Sequence, residues 1–195
     1  LWHISPSTTG FAQLGQTWSE PSLVTIKTTS GPVDAIIFGG GYDVDLDDDD
    51  GSGSAKNYGT EAGDPNSGNA IYVVDIETGA LIFSVSGTGS GASIEVPQMK
   101  YAIPSNVTAV DSDGDGYEDR VYVGDTIGQV FRLDLDAVNP ASALDPEGDS
   151  VVGLLASIAT AGTLVDERRF FYKPTVVQVI DTEFSNAAGG EYDYV

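Results

Sequence analysis

One stretch of this chain occurs three times in outline. Trp18-Ser19-Glu20-Pro21-Ser22-Leu23-Val24-Thr25-Ile26 is the first copy, and Tyr101-Ala102-Ile103-Pro104-Ser105-Asn106-Val107-Thr108-Ala109-Val110 is the second. Phe171-Tyr172-Lys173-Pro174-Thr175-Val176-Val177-Gln178-Val179-Ile180 is the third. Each copy has an aromatic residue, Pro three residues later, Ser or Thr, and then a run of alternating apolar residues. Alternation at period two is the signature of a strand with one buried face. A unit that recurs in one chain buries its apolar face against its neighbours, so the repetition points to stacked units.

The segments after each opening extend the unit. Ala35–Gly40 and Val121–Asp125 read as second strands, with Tyr192–Val195 in the third copy. Ala70–Asp75 and Gln129–Leu135 read as third strands, and Leu81–Val85 and Leu154–Ile158 as fourth strands. Leu1-Trp2-His3-Ile4 reads as the last strand of a further unit. Short strands joined by Gly-rich turns form meanders, and repeated four-stranded meanders are propeller blades. The expected fold is therefore all-β, a β-propeller segment of four-stranded antiparallel blades, with about two complete blades plus parts of two neighbours. Residues 1–16 would end a preceding blade, and 17–98 would form a blade with an acidic insertion at 43–68. Residues 99–160 would form a blade with a loop at 111–119, and 161–195 would start a further one. A β-sandwich accounts for the strands but not for three matching openings. Blade edges left open in such a segment are prone to self-association.

Asp111-Ser112-Asp113-Gly114-Asp115-Gly116-Tyr117-Glu118-Asp119 carries the chemistry. It reads D-x-D-x-D-G-x-x-D, a calcium-binding spacing. Ca²⁺ takes six to eight oxygen ligands, and Gly at the sixth position permits the sharp turn. The expected ligands are Asp111, Asp113, Asp115, the Tyr117 carbonyl and Asp119. Position twelve is Tyr122 where an EF-hand has Glu, and Arg120–Asp125 is β-rich, so the site reads as strand–loop–strand. Without a cation the crowded carboxylates repel. Asp43-Val44-Asp45-Leu46-Asp47-Asp48-Asp49-Asp50-Gly51 is a second acidic cluster. It lacks the placed Gly and the later carboxylate. It reads first as the solvated tip of a mobile excursion, and second as a weak calcium site on Asp43, Asp45, Asp47 and Asp49. Asp125 reads as a turn cap, with support of the calcium loop as the alternative. Trp2, Trp18, Tyr101 and Phe171 read as blade-packing aromatics.

The formal net charge is −22. That argues against nucleic acid and anionic membrane as partners, and fits cation binding, solubility or a salty environment. There is no cysteine, which excludes a disulfide framework and thiolate metal sites. No apolar run approaches a membrane-spanning length, so direct membrane insertion is not expected. The chain opens at Leu1 rather than Met and stops within an apparent strand, as expected of a piece of a longer protein. The one histidine, His3, leaves little for a Ser-His-Asp arrangement, and no phosphate-binding loop is present. An enzyme is not expected.

These segments together resemble the C-terminal β-propeller of the PilC/PilY family of type IV pilus tip-associated adhesin and biogenesis proteins. The residues that carry the resemblance run from Leu1–Ile4 through Gly15–Pro21 and Phe38-Gly39-Gly40-Gly41-Tyr42-Asp43. They continue through Gly68–Asp75 with Glu77-Thr78-Gly79, and from Pro104 to Leu135. The resemblance covers nearly the whole chain in order. It implies calcium at Asp111, Asp113, Asp115, Tyr117 and Asp119, linked to control of pilus extension and retraction. It implies pilus subunits or cell-surface proteins as partners and an extracellular, cell-surface location at the pilus tip or outer membrane. The family's separate N-terminal adhesive region is not expected among these residues, so adhesion located there is not assigned to them. The calcium spacing is also similar to integrin-type calcium blades of extracellular adhesion propellers. Tyr72–Gly79 is similar to blades of quinone-dependent dehydrogenase propellers, where the same phrase is a turn without cofactor chemistry.

Overall fold

The computed structural model describes residues 1–28, 30–43, 68–135, 152–158, 168–180 and 191–194. Every regular element among them is a strand. The first sheet is an antiparallel meander of β1 (Ser22–Thr28), β2 (Gly31–Gly39), β3 (Ala70–Asp75) and β4 (Leu81–Ser86). A short β5 (Ile94–Glu95) joins β4 in parallel. The second sheet repeats the meander with β6 (Thr108–Val110), β7 (Arg120–Gly124), β8 (Gln129–Asp134) and β9 (Val152–Ser157). β10 (Val177–Ile180) and β11 (Glu191–Tyr194) pair antiparallel as the start of a third. The fold class is all-β, and its successive meanders are propeller blades.

β3 explains how the first two units hold together. Ala70 to Val74 are all essentially buried, so the strand reads as a continuous apolar run instead of alternating. Its two faces serve different clusters. Ile71 and Val73 point into a core that also holds Val24, Ile26, Ile37 and Phe83 of the first sheet. Val121, Val123, Phe131 and Leu133 of the second sheet belong to that same core. Ala70, Tyr72 and Val74 face the other way, onto Phe11 and Leu14 of the segment before β1. Each fully buried Val, Ile, Leu or Phe here contributes about 1.5–3 kcal/mol. β1 has one such face only. Val24 and Ile26 are buried, while Leu23, Thr25 and Lys27 lie on the opposite side.

The run Gly39-Gly40-Gly41 is a crossing of chain segments. Gly41 donates its N–H to Ile103 O at 3.0 Å, and Gly40 donates to Ala70 O at 2.6 Å. Gln16 and Tyr42 exchange backbone hydrogen bonds, both at 2.8 Å. A Cβ on Gly39 would lie 2.4 Å from Ile103 O, and one on Gly41 would lie 2.2 Å from Gln16 O. Gly41 also has φ +104°, which side-chain-bearing residues rarely adopt. The segment just before the first opening, at Gln16, and the second opening, at Ile103, therefore meet on this one glycine run.

Two expectations change. Leu1–Ile4 forms no strand: the segment lies on the β3–β4 turn, with Trp2 Nε1 donating to Ile76 O at 3.0 Å. A short apolar segment does not make a strand when no ladder partner among the described residues lies beside it. The opening aromatics also do not behave alike. Tyr101 is buried, whereas Trp18 is 65% exposed and Phe171 43% exposed. Each of these two instead leans on Tyr42, with ring centroids 6.1 and 6.4 Å away.

Candidate metal site

Residues 111–119 connect β6 to β7, so two paired strands hold both ends of the acidic loop. Val110 O accepts from Asp119 N at 2.9 Å, and Asp119 O accepts from Leu135 N at 2.6 Å, which ties the loop's base to the end of β8. Within the loop, Asp111 organises the turn. Its Oδ1 accepts from Gly114 N at 2.8 Å and Asp115 N at 3.2 Å, and its Oδ2 accepts from Gly116 N at 2.8 Å. Asp113 Oδ1 accepts from Asp115 N at 3.1 Å, and Asp115 Oδ1 from Tyr117 N at 3.0 Å. Gly116 has φ +92°, the bend expected of the sixth position.

Carboxylate oxygens of Asp111, Asp113 and Asp115 all lie within 4.8 Å of one another. At about 4 Å two such charges repel by about 1 kcal/mol in water and about 4 kcal/mol near a protein surface. Each oxygen that accepts one N–H keeps lone-pair capacity. The donor set is oxygen only, which suits a hard cation and not a thiophilic one. The three groups can hold a metal ion.

Asp119 stands outside this triad. It is buried, and its carboxylate accepts from Ser112 N at 2.9 Å and from Ser112 Oγ at 2.5 Å. Tyr117 lies beside the triad with its ring 5.2 Å from Lys27 Nζ. Of the second cluster, Asp43 is half-buried just after the Gln16–Tyr42 bridge, and Asp45, Asp47 and Asp49 lie outside the described residues. Asp125 is fully buried and caps the β7–β8 turn: its Oδ1 accepts from Ile127, Gly128 and Gln129 N–H at 3.1, 3.0 and 2.7 Å.

Two residues at the loop escaped the sequence reading. Lys27 of β1 forms an ion pair with Asp115 Oδ2, and that hydrogen bond holds the Asp115 carboxyl below its ordinary range. Glu118 makes paired contacts with Thr25 of β1. Its Oε2 accepts from Thr25 N at 2.8 Å, and its N–H donates to Thr25 O at 3.1 Å. Lys27 is 88 residues from Asp115 in sequence, and Thr25 is 93 from Glu118. The one local hint was that Thr25 and Lys27 share the face of β1 turned away from the core.

The chain is similar to a solved structure, the C-terminal domain of Pseudomonas aeruginosa PilY1. The two superpose with a TM-score of 0.53 at 24% identity, over 96% of this chain and 36% of that one. The likeness shows the fold, and this chain spans about a third of the length of that structure. No described protein family matches the sequence, and no curated protein does.

Proposed function

We propose that this chain is a calcium-binding propeller segment of a type IV pilus tip or biogenesis protein, acting without catalysis as a regulatory and interaction module at the cell surface. The observation that carries the reading is the Asp111–Asp113–Asp115 triad, set between β6 and β7 of a fold similar to the PilY1 C-terminal domain. Calcium is the cation proposed because it tolerates irregular, flexible oxygen sites, whereas magnesium demands near-ideal octahedral geometry. A bound ion neutralises the triad and rigidifies the β6–β7 connection. Its loss returns the carboxylates to partial mutual repulsion, and the loop gives up the rigidity that the ion supplied. A pilus subunit or cell-surface protein that recognises the ordered loop then responds to calcium by linkage.

Calorimetric titration of the purified chain tests this. Calcium should bind at one site and raise the melting temperature, and Asp113→Ala/Asp115→Ala should abolish both effects. An unchanged calcium response in the double variant would sink the assignment to this loop.

A further inference from the structure

We propose that the 111–119 loop is a latch between the first and second sheets, in which the Lys27 ammonium and a divalent cation compete for the Asp115 carboxylate. The latch rests on contacts between sheets. The competition rests on the metal reading given above.

The latch has two ties of different kinds. Glu118 engages both backbone groups of Thr25, so the loop takes a rung on β1 as a neighbouring strand would. Lys27 lies two residues further along the same face of β1. It reaches Asp115 Oδ2 while its Nζ sits 5.2 Å from the Tyr117 ring centroid. The Glu118 tie uses no group of the triad. The Lys27 tie uses one of the three carboxylates that a metal ion needs.

A half-exposed ammonium on a flexible stem therefore already serves as the triad's cation. The chain has only 8 Lys and Arg against 30 Asp and Glu, and one of those few cations stands here. Lys27 supplies one positive charge to three carboxylates, which leaves a net charge for a divalent ion to neutralise. The two cannot share Asp115 closely, because like charges a few ångströms apart repel. Metal entry therefore displaces Lys27, while Glu118 keeps the loop on β1. The ammonium lowers metal affinity and holds the latch closed when divalent ions are scarce.

The test uses the whole chain as wild type, Lys27→Met, Lys27→Arg and Asp113→Ala/Asp115→Ala. Each is titrated with calcium and melted in chelator. Lys27→Met should bind calcium about tenfold more tightly than wild type and melt at a lower temperature in chelator. Lys27→Arg, which keeps the cation, should bind like wild type. If Lys27→Met binds no more tightly than wild type, the competition is overturned. An unchanged melting temperature for Lys27→Met in chelator overturns the Lys27 tie. If no folded variant titrates calcium, the metal reading fails and the competition fails with it, while the chelator melts still judge the tie.

Discussion

Asp125 is a carboxyl group in a place that disfavours charge. Burial pushes it up from an ordinary 3.8 to about 7, against the pull of the Gln129, Ile127 and Gly128 N–H groups. With its side-chain amide turned so that both of its ends are satisfied, Gln129 would donate to Asp125 Oδ2 at 2.9 Å and to Gln98 O at 3.0 Å. A carboxyl whose pKa is raised by folding favours the folded state most when protonated. That contribution is fully present below about pH 4 and is lost as the pH rises through about 7. Its size across the window is up to about 4 kcal/mol. Asp125→Asn keeps the turn cap without the titration. Its melting temperature relative to wild type should therefore rise between pH 5 and pH 8, and a pH-independent difference would count against a raised Asp125. At this scale the sequence was legible in part. The spacing of Asp111, Asp113 and Asp115 showed a triad that the fold does assemble. That Asp119 turns to Ser112, and that Lys27 arrives from β1, depends on contacts across the chain that no local pattern encodes.

Among the elements, β3 and the glycine run show what sequence conveys well. An apolar run of strand length between turn signals implies burial on both faces, and β3 has it. Three adjacent glycines imply close backbone approach, and Gly41 shows why. Gly41→Ala places a methyl against Gln16 O in a backbone conformation that alanine resists. It should cost about 1–3 kcal/mol from the conformation alone, with the clash in addition, measured by urea denaturation. A loss under about 0.5 kcal/mol would mean that the crossing relaxes easily. The openings were recognised as strand starts because Pro and alternation are local signals. The exposure of Trp18 and Phe171 was not, because it depends on which segment lies opposite. Tyr101 has the first sheet's glycine run close by, since Ile103 pairs with Gly41. Leu1–Ile4 forms no strand for the related reason that pairing requires a second strand beside it.

For the whole molecule, the shared core decides cooperativity. Phe131 of β8 is fully buried in the cluster that also holds Ile71 and Val73 of β3. Phe131→Ala should cost about 3–5 kcal/mol. Because the core is common, the loss should move the transition reported by Trp2 and Trp18 fluorescence, although both tryptophans belong to the first unit. A fluorescence midpoint that stays in place while circular dichroism shifts would show that the two sheets unfold separately. The repeat made the stacking of units legible at this scale. Which strand faces of the two units merge into one core was not, because the repeat gives the units and not their docking.

The glycine crossing also determines where this chain tolerates added sequence. Gly41 O and the Gly68 backbone are in contact, and Ala70 begins β3 by accepting a hydrogen bond from Gly40. The chain thus leaves and re-enters the sheet through adjoining doorposts, fixed by Gln16 and Ile103 rather than by what lies between. Doubling the length of a flexible closed loop costs only about 0.6 kcal/mol. With the doorposts at Gly41 and Gly68 held by backbone hydrogen bonds of their own, doubling the length of chain between residues 43 and 68 should cost the first blade only that loop-closure term, about 0.6 kcal/mol by urea denaturation.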